Sequence, residues 1–148
     1  QQLNQVKKFF DIATAENLDC LTGGQLLEVS GYFVTPTVYT NVPTTSQLWM
    51  EEVFGPVLVS TTFIDNAEAV ALANDSKFAL AATIVCADET AALEMALQIK
   101  AGHIWINEQQ IVLPEAGWGG FKQSGIGREL GGDGLSAYQK TKHVLLTD

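Results

Sequence analysis

Basic residues are scarce in this sequence. Eight lysines and arginines stand against 17 aspartates and glutamates, a formal net charge of −9 over 148 residues. A surface of that sign repels phosphate backbones and anionic lipid headgroups, so nucleic acid and membranes are set aside as partners. The acid excess does not by itself point to a cationic substrate, because solubility accounts for it equally well. Cysteine is nearly missing too. Cys20 and Cys86 are the only two, with neither a metal-ligand nor a redox spacing. Cys86 ends the apolar run Leu80–Cys86, where a buried, inert thiol is expected. Cys20 precedes Gly23 and Gly24 in an expected loop. With no histidine or helix start beside either thiol, neither is read as a nucleophile. No apolar stretch approaches the roughly 20 residues of a membrane span, and no signal peptide opens the chain. Asn74-Asp-Ser76 has the form of a glycosylation sequon, but nothing else suggests secretion. It is read as a chance match, and a cytoplasmic protein is expected.

What the chain does have is apolar material. Hydrophobic residues make up 47% and charged residues 17%, enough for a real core in one compact domain or a large piece of a bigger one. Leu3, Val6, Phe10 and Ala13 recur at spacings of three and four, one face of a helix. No initiator methionine or capping residue opens that helix, so the chain is expected to begin inside or just before an element that packs on something, as a fragment would.

Further on, Thr22-Gly-Gly24 and Ser30-Gly31 mark a loop. Tyr32–Tyr39 is rich in β-branched and aromatic residues, and Pro36 demotes it to an edge or irregular strand. Ser46–Glu52 suits a short helix and Val57–Phe63 a strand. Asp65 with Glu68 three residues on has the form of a capping box, opening a helix to about Asn74. Leu80–Cys86 reads as a strand buried on both faces, Asp88 as the cap of a helix over Glu89–Lys100, and His103–Ile106 as a further strand. Strand, helix, strand, helix, strand over residues 57 to 106 argues an α/β fold with parallel strands joined by right-handed crossovers. In such sheets function gathers beyond the carboxyl ends of the strands, here in the long segment Asn107–Gly117.

Two segments could carry chemistry. Glu51-Glu-Val-Phe54-Gly-Pro56 fixes a turn directly after an acid and an aromatic; the plain alternative is one solvated and one capping carboxylate. Trp118–Gly132 holds six glycines in fifteen residues, which implies positive-φ positions or close backbone approaches. It is not a nucleotide loop. Leu130 stands where the dinucleotide fingerprint needs a third glycine, and Lys122 and Ser124 lack the P-loop spacing. The plain reading is a tight structural loop feeding a helix over Gly134–Lys140.

These segments resemble the aldehyde dehydrogenase family. Glu51–Pro56 resembles its Glu-Glu-(Ile/Val)-Phe-Gly-Pro motif, Gly102–Asn107 its Gly-x-(Val/Ile)-Trp-(Val/Ile)-Asn strand, and Trp118–Gly131 its Phe/Trp-Gly-Gly-x-Lys-x-Ser-Gly-x-Gly-Arg-Glu-x-Gly signature. Tyr32-Phe-Val-Thr-Pro-Thr-Val and Asn74–Ala82 fit in the same order, so the resemblance spans nearly the whole chain. It implies the C-terminal part of a catalytic domain, α/β with a parallel sheet and a C-terminal strand over Lys142–Leu146 for contacts in a homo-oligomer. It also implies a covalent mechanism: a cysteine thiolate attacks the aldehyde, hydride passes to NAD or NADP, and a glutamate-activated water hydrolyses the thioester. The nucleophile, that glutamate and the nucleotide-binding domain would lie upstream, on the rest of the enzyme, and the chain alone would be inactive.

Carried onto this sequence, the resemblance gives Glu52 the nicotinamide-ribose hydroxyls, since a carboxylate accepts two hydrogen bonds from a vicinal diol. It puts Phe54 near the nicotinamide and makes Asn107 a support of the active-site loop. It makes Glu129 a proton relay, against the alternative of a salt bridge with Arg128. It gives the carbonyls of Lys122 and Gly125 a monovalent cation, K+. Gln110, Val112 and Trp118, with Glu115 as neighbour, would line the aldehyde entrance. Trp118 stands where many members carry Phe and betaine-aldehyde and amino-aldehyde members often carry Trp, and an indole face attracts a quaternary or protonated amine. A plain apolar wall for aliphatic or aromatic aldehydes is the other reading. The competing class is a non-catalytic assembly module that keeps the packing surface without the active site.

Overall fold

Of the apolar face expected at the start of the chain, Val6, Phe10 and Ala13 fold inward, Phe9 joins them, and Leu3 stays half-buried. These side chains stand on helix α1, Gln2–Ala15. Its end is closed by Asn17 at φ 54, with the Asn17 amide donating to the Thr14 carbonyl and that of Leu18 to Ala13. That pair of bonds is the Schellman arrangement, and asparagine is one of the few side chains that tolerates its left-handed position.

The structure, a computed structural model, describes residues 1–147, which separate into two units, the first Gln1–Ile64 and the second from Asp65 onward. In the first unit, strand β1 (Asp19–Thr22) runs antiparallel to β2 (Thr37–Thr40), helix α2 spans Gln47–Met50, and β3 (Val57–Val59) pairs in parallel with β2. The inner face of α1 packs with Tyr39, Val42, Leu48 and Val53. Each such side chain, fully buried, stabilises by about 1.5–3 kcal/mol.

Three expectations change here. Cys20 lies in β1, opposite Tyr39, rather than in a loop. The strand expected from Tyr32 starts only at Thr37, whose amide bonds the Pro56 carbonyl; Pro36 just before it has no N–H to pair. The strand expected to reach Phe63 stops at Val59: Asn41, at φ 54, breaks the regular ladder of its partner β2, and the last bonds run from the Ser60 amide to the Tyr39 carbonyl and from the Val42 amide to the Ser60 carbonyl.

In the second unit, α3 (Asn66–Asn74) is capped as expected: the Asp65 carboxylate accepts the Glu68 amide at 2.8 Å. Strands β4 (Phe78–Ala79) and β5 (Ala81–Ile84) follow, then α4 (Glu89–Gln98), capped by Asp88 on the amides of Thr90 and Ala91. Strand β6 (His103–Ile106) lies parallel to β5, making β5-α4-β6 a crossover unit. Strand β7 (Phe121–Lys122) runs antiparallel to β4, and α5 spans Gly131–Ser136.

The α/β class with parallel pairs holds, but the alternation over residues 57 to 106 is not one sheet, because β3 belongs with β2. Nor is β5 buried on both faces. Ile84 is buried and Ala82 half-buried, while Ala81 and Thr83 are exposed. Small outward residues made an alternating strand look continuously apolar. The last helix begins at Gly131, earlier than expected. Within this single chain the segment Lys142–Leu146, expected as a strand for contacts in a homo-oligomer, pairs with no strand of its own chain. Residues 141–147 carry no regular structure, and a strand exists only against a partner strand.

Candidate functional site

The Glu51–Pro56 turn is built from below. Val53 is buried at 8% exposure, which leaves its neighbours Glu52 and Phe54 both facing outward. Phe54 adopts φ 50 and is 73% exposed. A bulky side chain in the left-handed region is strained, and such strain persists only where the surroundings impose it. Two contacts flank it. The Gln2 side-chain amide donates to the Phe54 carbonyl, and Gly55 lies so close to α1 that a Cβ there would stand 2.5 Å from Cγ2 of Val6. Glu52 and Phe54 thereby line one open cleft of about 330 Å3, with Trp49, Val57 and Val59 among its walls. Deeper in this unit, burial and then the neighbouring Cys20 push the Tyr39 phenol above its usual 10.0.

In the second unit the expected substrate segment is tied down along its length. Asn107, at φ 52, accepts the Cys86 amide at 2.9 Å and donates to the Cys86 carbonyl at 2.7 Å, joining the ends of β5 and β6. This leaves Cys86 half-buried rather than in a core. Gln110 reaches Thr83 Oγ1 at 3.4 Å, and Val112 is 48% exposed. The Trp105 indole N–H donates to the Ile111 carbonyl, and the Gly131 amide to that of Pro114. The segment ends at Trp118, which exchanges both backbone bonds with Glu129 at 2.7 and 2.8 Å. Directly opposed residues of an antiparallel pair put their side chains on one side, so Trp118 and Glu129 are neighbours across that bridge. Glu129 is exposed, and Arg128, the partner considered for it, instead places Nη1 on the carbonyls of Gly120 and Gly127.

Glycines let these backbones meet. A Cβ at Gly102 would fall 1.7 Å from the Gly119 carbonyl oxygen, and one at Gly119 would fall 2.4 Å from that of Gly127. The Lys122 ammonium is committed to the carbonyls of Asn74 and Ser76, each at 2.8 Å. Its own carbonyl closes a turn onto the Gly125 amide at 3.5 Å, so the two residues expected to hold a cation share one turn. Among the described residues no group of three His, Cys, Asp or Glu side chains could hold a metal, and no helix is long and apolar enough to cross a membrane.

Two ring residues were missed as site candidates. His103 and Trp105, two apart on β6, meet Trp118 with centroids 5.2 and 6.0 Å away. The period-2 spacing of His103 and Trp105 was readable as a shared face; the arrival of Trp118 was not.

The aldehyde dehydrogenase family model matches residues 1–144. A chloroplastic aminoaldehyde dehydrogenase of Arabidopsis thaliana is 42% identical over 147 residues, 98% of this chain and 29% of that protein. A chloroplastic betaine aldehyde dehydrogenase of Amaranthus hypochondriacus is 40% identical over 97% of this chain and 29% of its own. The crystal structure of betaine aldehyde dehydrogenase from Staphylococcus aureus in complex with NAD+ superposes with a TM-score of 0.91 at 40% identity, covering 97% of this chain and 29% of that one. The chain thus spans less than a third of the length of these relatives.

Proposed function

This chain belongs to the aldehyde dehydrogenase family, and from that premise we propose that it is the C-terminal portion of a catalytic domain in an enzyme that oxidises an aldehyde to its carboxylic acid through a cysteine thioester. The rest of the enzyme supplies the thiolate, the base and the nucleotide-binding domain. The observation that carries this reading is the strained turn that presents Glu52 and Phe54 together on an open cleft.

A dinucleotide fits what is there: an outward carboxylate for a ribose diol and an exposed aromatic face for a planar ring. NAD or NADP, when bound, supplies the hydride acceptor. Glu52 accepts the two ribose hydroxyls, and Phe54, held at its left-handed position, limits the swing of the nicotinamide. Asn107 keeps the substrate segment at the ends of β5 and β6. Gln110, Val112 and Trp118 form a wall of the aldehyde passage. Because relatives include enzymes named for amino and betaine aldehydes, a quaternary or protonated amine is the group proposed to meet the Trp118 indole. Glu129, beside Trp118 and open to solvent, carries protons out after the water attacks. The Lys122–Gly125 turn holds K+ through its carbonyls, whose second lone pairs are available. The exposed Val144, Leu145 and Leu146 meet another copy in a homo-oligomer.

The test is Glu52→Gln in the full-length protein. A neutral amide keeps the shape but accepts only through its single oxygen, so KM for the dinucleotide should rise about tenfold, a loss of roughly 1.5 kcal/mol. Unchanged dinucleotide KM would remove Glu52 from the clamp.

A further inference from the structure

We propose that His103 is a positioning residue for substrate selection, holding the Trp118 indole at the angle at which it receives a cationic aldehyde. The inference rests on the reading that Trp118 meets the substrate's ammonium group.

The geometry is a three-ring cluster. His103 lies 4.6 Å from Trp105 and 5.2 Å from Trp118 between ring centroids, with interplanar angles of 42° and 47°. Trp105 and Trp118 are 6.0 Å apart at 44°. All three separations fall in the range where tilted aromatic pairs attract beyond their buried area. The members differ in how firmly they are held. Trp105 is 8% exposed, and its indole N–H is fixed on the Ile111 carbonyl at 2.9 Å. Trp118 is fixed through its backbone to Glu129, whereas its half-buried side chain meets the rings of β6. His103 is the nearer of those two rings. It stands on the same face of β6 as the anchored Trp105, so it passes the rigidity of the strand to the indole.

Orientation matters for one substrate class only. A quaternary or protonated amine is attracted by the ring quadrupole when it sits over the indole face, and it loses that attraction at the edge. A neutral aliphatic aldehyde needs only apolar area, which a tilted indole still provides. Freeing Trp118 by removing His103 should therefore weaken the cationic aldehyde selectively. A residue that merely filled space would affect both alike.

The experiment measures KM and kcat of the full-length protein with betaine aldehyde and with hexanal, for wild type, His103→Leu, His103→Gln, His103→Phe and Trp118→Ala. His103→Leu keeps bulk without a ring, and His103→Gln gives a second ring-free side chain should the first variant misfold. For both, KM for betaine aldehyde should rise about three- to tenfold, from the span of a cation–π contact, with hexanal KM within about twofold and kcat ratios preserved. His103→Phe, which restores a ring, should recover most of the loss. If Trp118→Ala raises the betaine aldehyde KM while the ring-free variants leave it unchanged or raise both substrates equally, the role of His103 is overturned and the reading of Trp118 stands. If Trp118→Ala leaves the betaine aldehyde KM unchanged, the reading of Trp118 fails and the inference goes with it.

Discussion

A buried phenol resists losing its proton, and Tyr39 is such a phenol. It is 3% exposed at the centre of β2, its ring packed in the first unit's core. Burial first, and the adjacent Cys20 second, raise its folded value above the unfolded 10.0. The folded state therefore holds this proton more tightly than the unfolded chain does. Stability from that difference is complete below pH 10 and is lost as pH rises through the folded value. Tyr39→Phe should flatten the alkaline limb: denaturant midpoints measured from about pH 9 to pH 11 should fall less steeply than in the wild type. An unchanged slope would mean that the phenol does not control this limb. Residue-scale features of this kind were only partly legible. Glu52 and Phe54 were singled out by their place in a motif, but the burial of Val53 between them and the left-handed φ of Phe54 were not. Its neighbours there, Gln2 and Val6, come from roughly fifty positions away, and local preference argues against that φ for a bulky side chain.

Elements were legible where their cause is local. Asp65 and Asp88 cap α3 and α4 with the carboxylate-to-amide bonds their spacing implies, and three of the four residues of the α1 stripe, Val6, Phe10 and Ala13, are buried. They were illegible where the cause is a partner. All four residues of β1 are exposed, so no alternation marks it, and it exists because β2 lies beside it. The terminal segment has strand composition but meets no strand within its own chain. In the Trp118–Gly132 segment Gly119, Gly120 and Gly131 are close approaches and Gly125 takes a positive φ, as expected, whereas Gly127 and Gly132 face open space; the surface that is approached could not be read. Gly102 supplies part of that surface. Its missing Cβ makes room for the Gly119 carbonyl at the start of β6, where a methyl would sit 1.7 Å from backbone oxygen. Backbone cannot rotate aside as a side-chain end can. Gly102→Ala should therefore destabilise the fold by about 3 kcal/mol, the upper part of the overpacking range. Chemical denaturation of the variant measures it. A loss under about 1 kcal/mol would show that β6 and the glycine segment separate easily.

At the scale of the molecule, the proposed division of labour has a direct consequence. Both cysteines sit in strand or strand-end positions fixed by backbone partners: Cys20 Sγ donates to the Thr22 carbonyl at 3.3 Å, and Cys86 is clamped at both backbone groups by Asn107. Neither lies among the residues proposed to hold the dinucleotide or the aldehyde, and a thiol contributes to catalysis only as a thiolate within reach of the carbonyl carbon. The 148-residue polypeptide should therefore produce no NADH from NAD+ and betaine aldehyde under conditions in which the full-length protein does. Cys20→Ser and Cys86→Ser should leave the full-length rate within about twofold if, as proposed, the thioester forms on a cysteine outside this chain. Thiol-dependent NADH formation by the 148 residues alone, abolished by either substitution, would overturn the division: the nucleophile would then belong to the chain that has been read as holding only the cofactor clamp and the substrate wall.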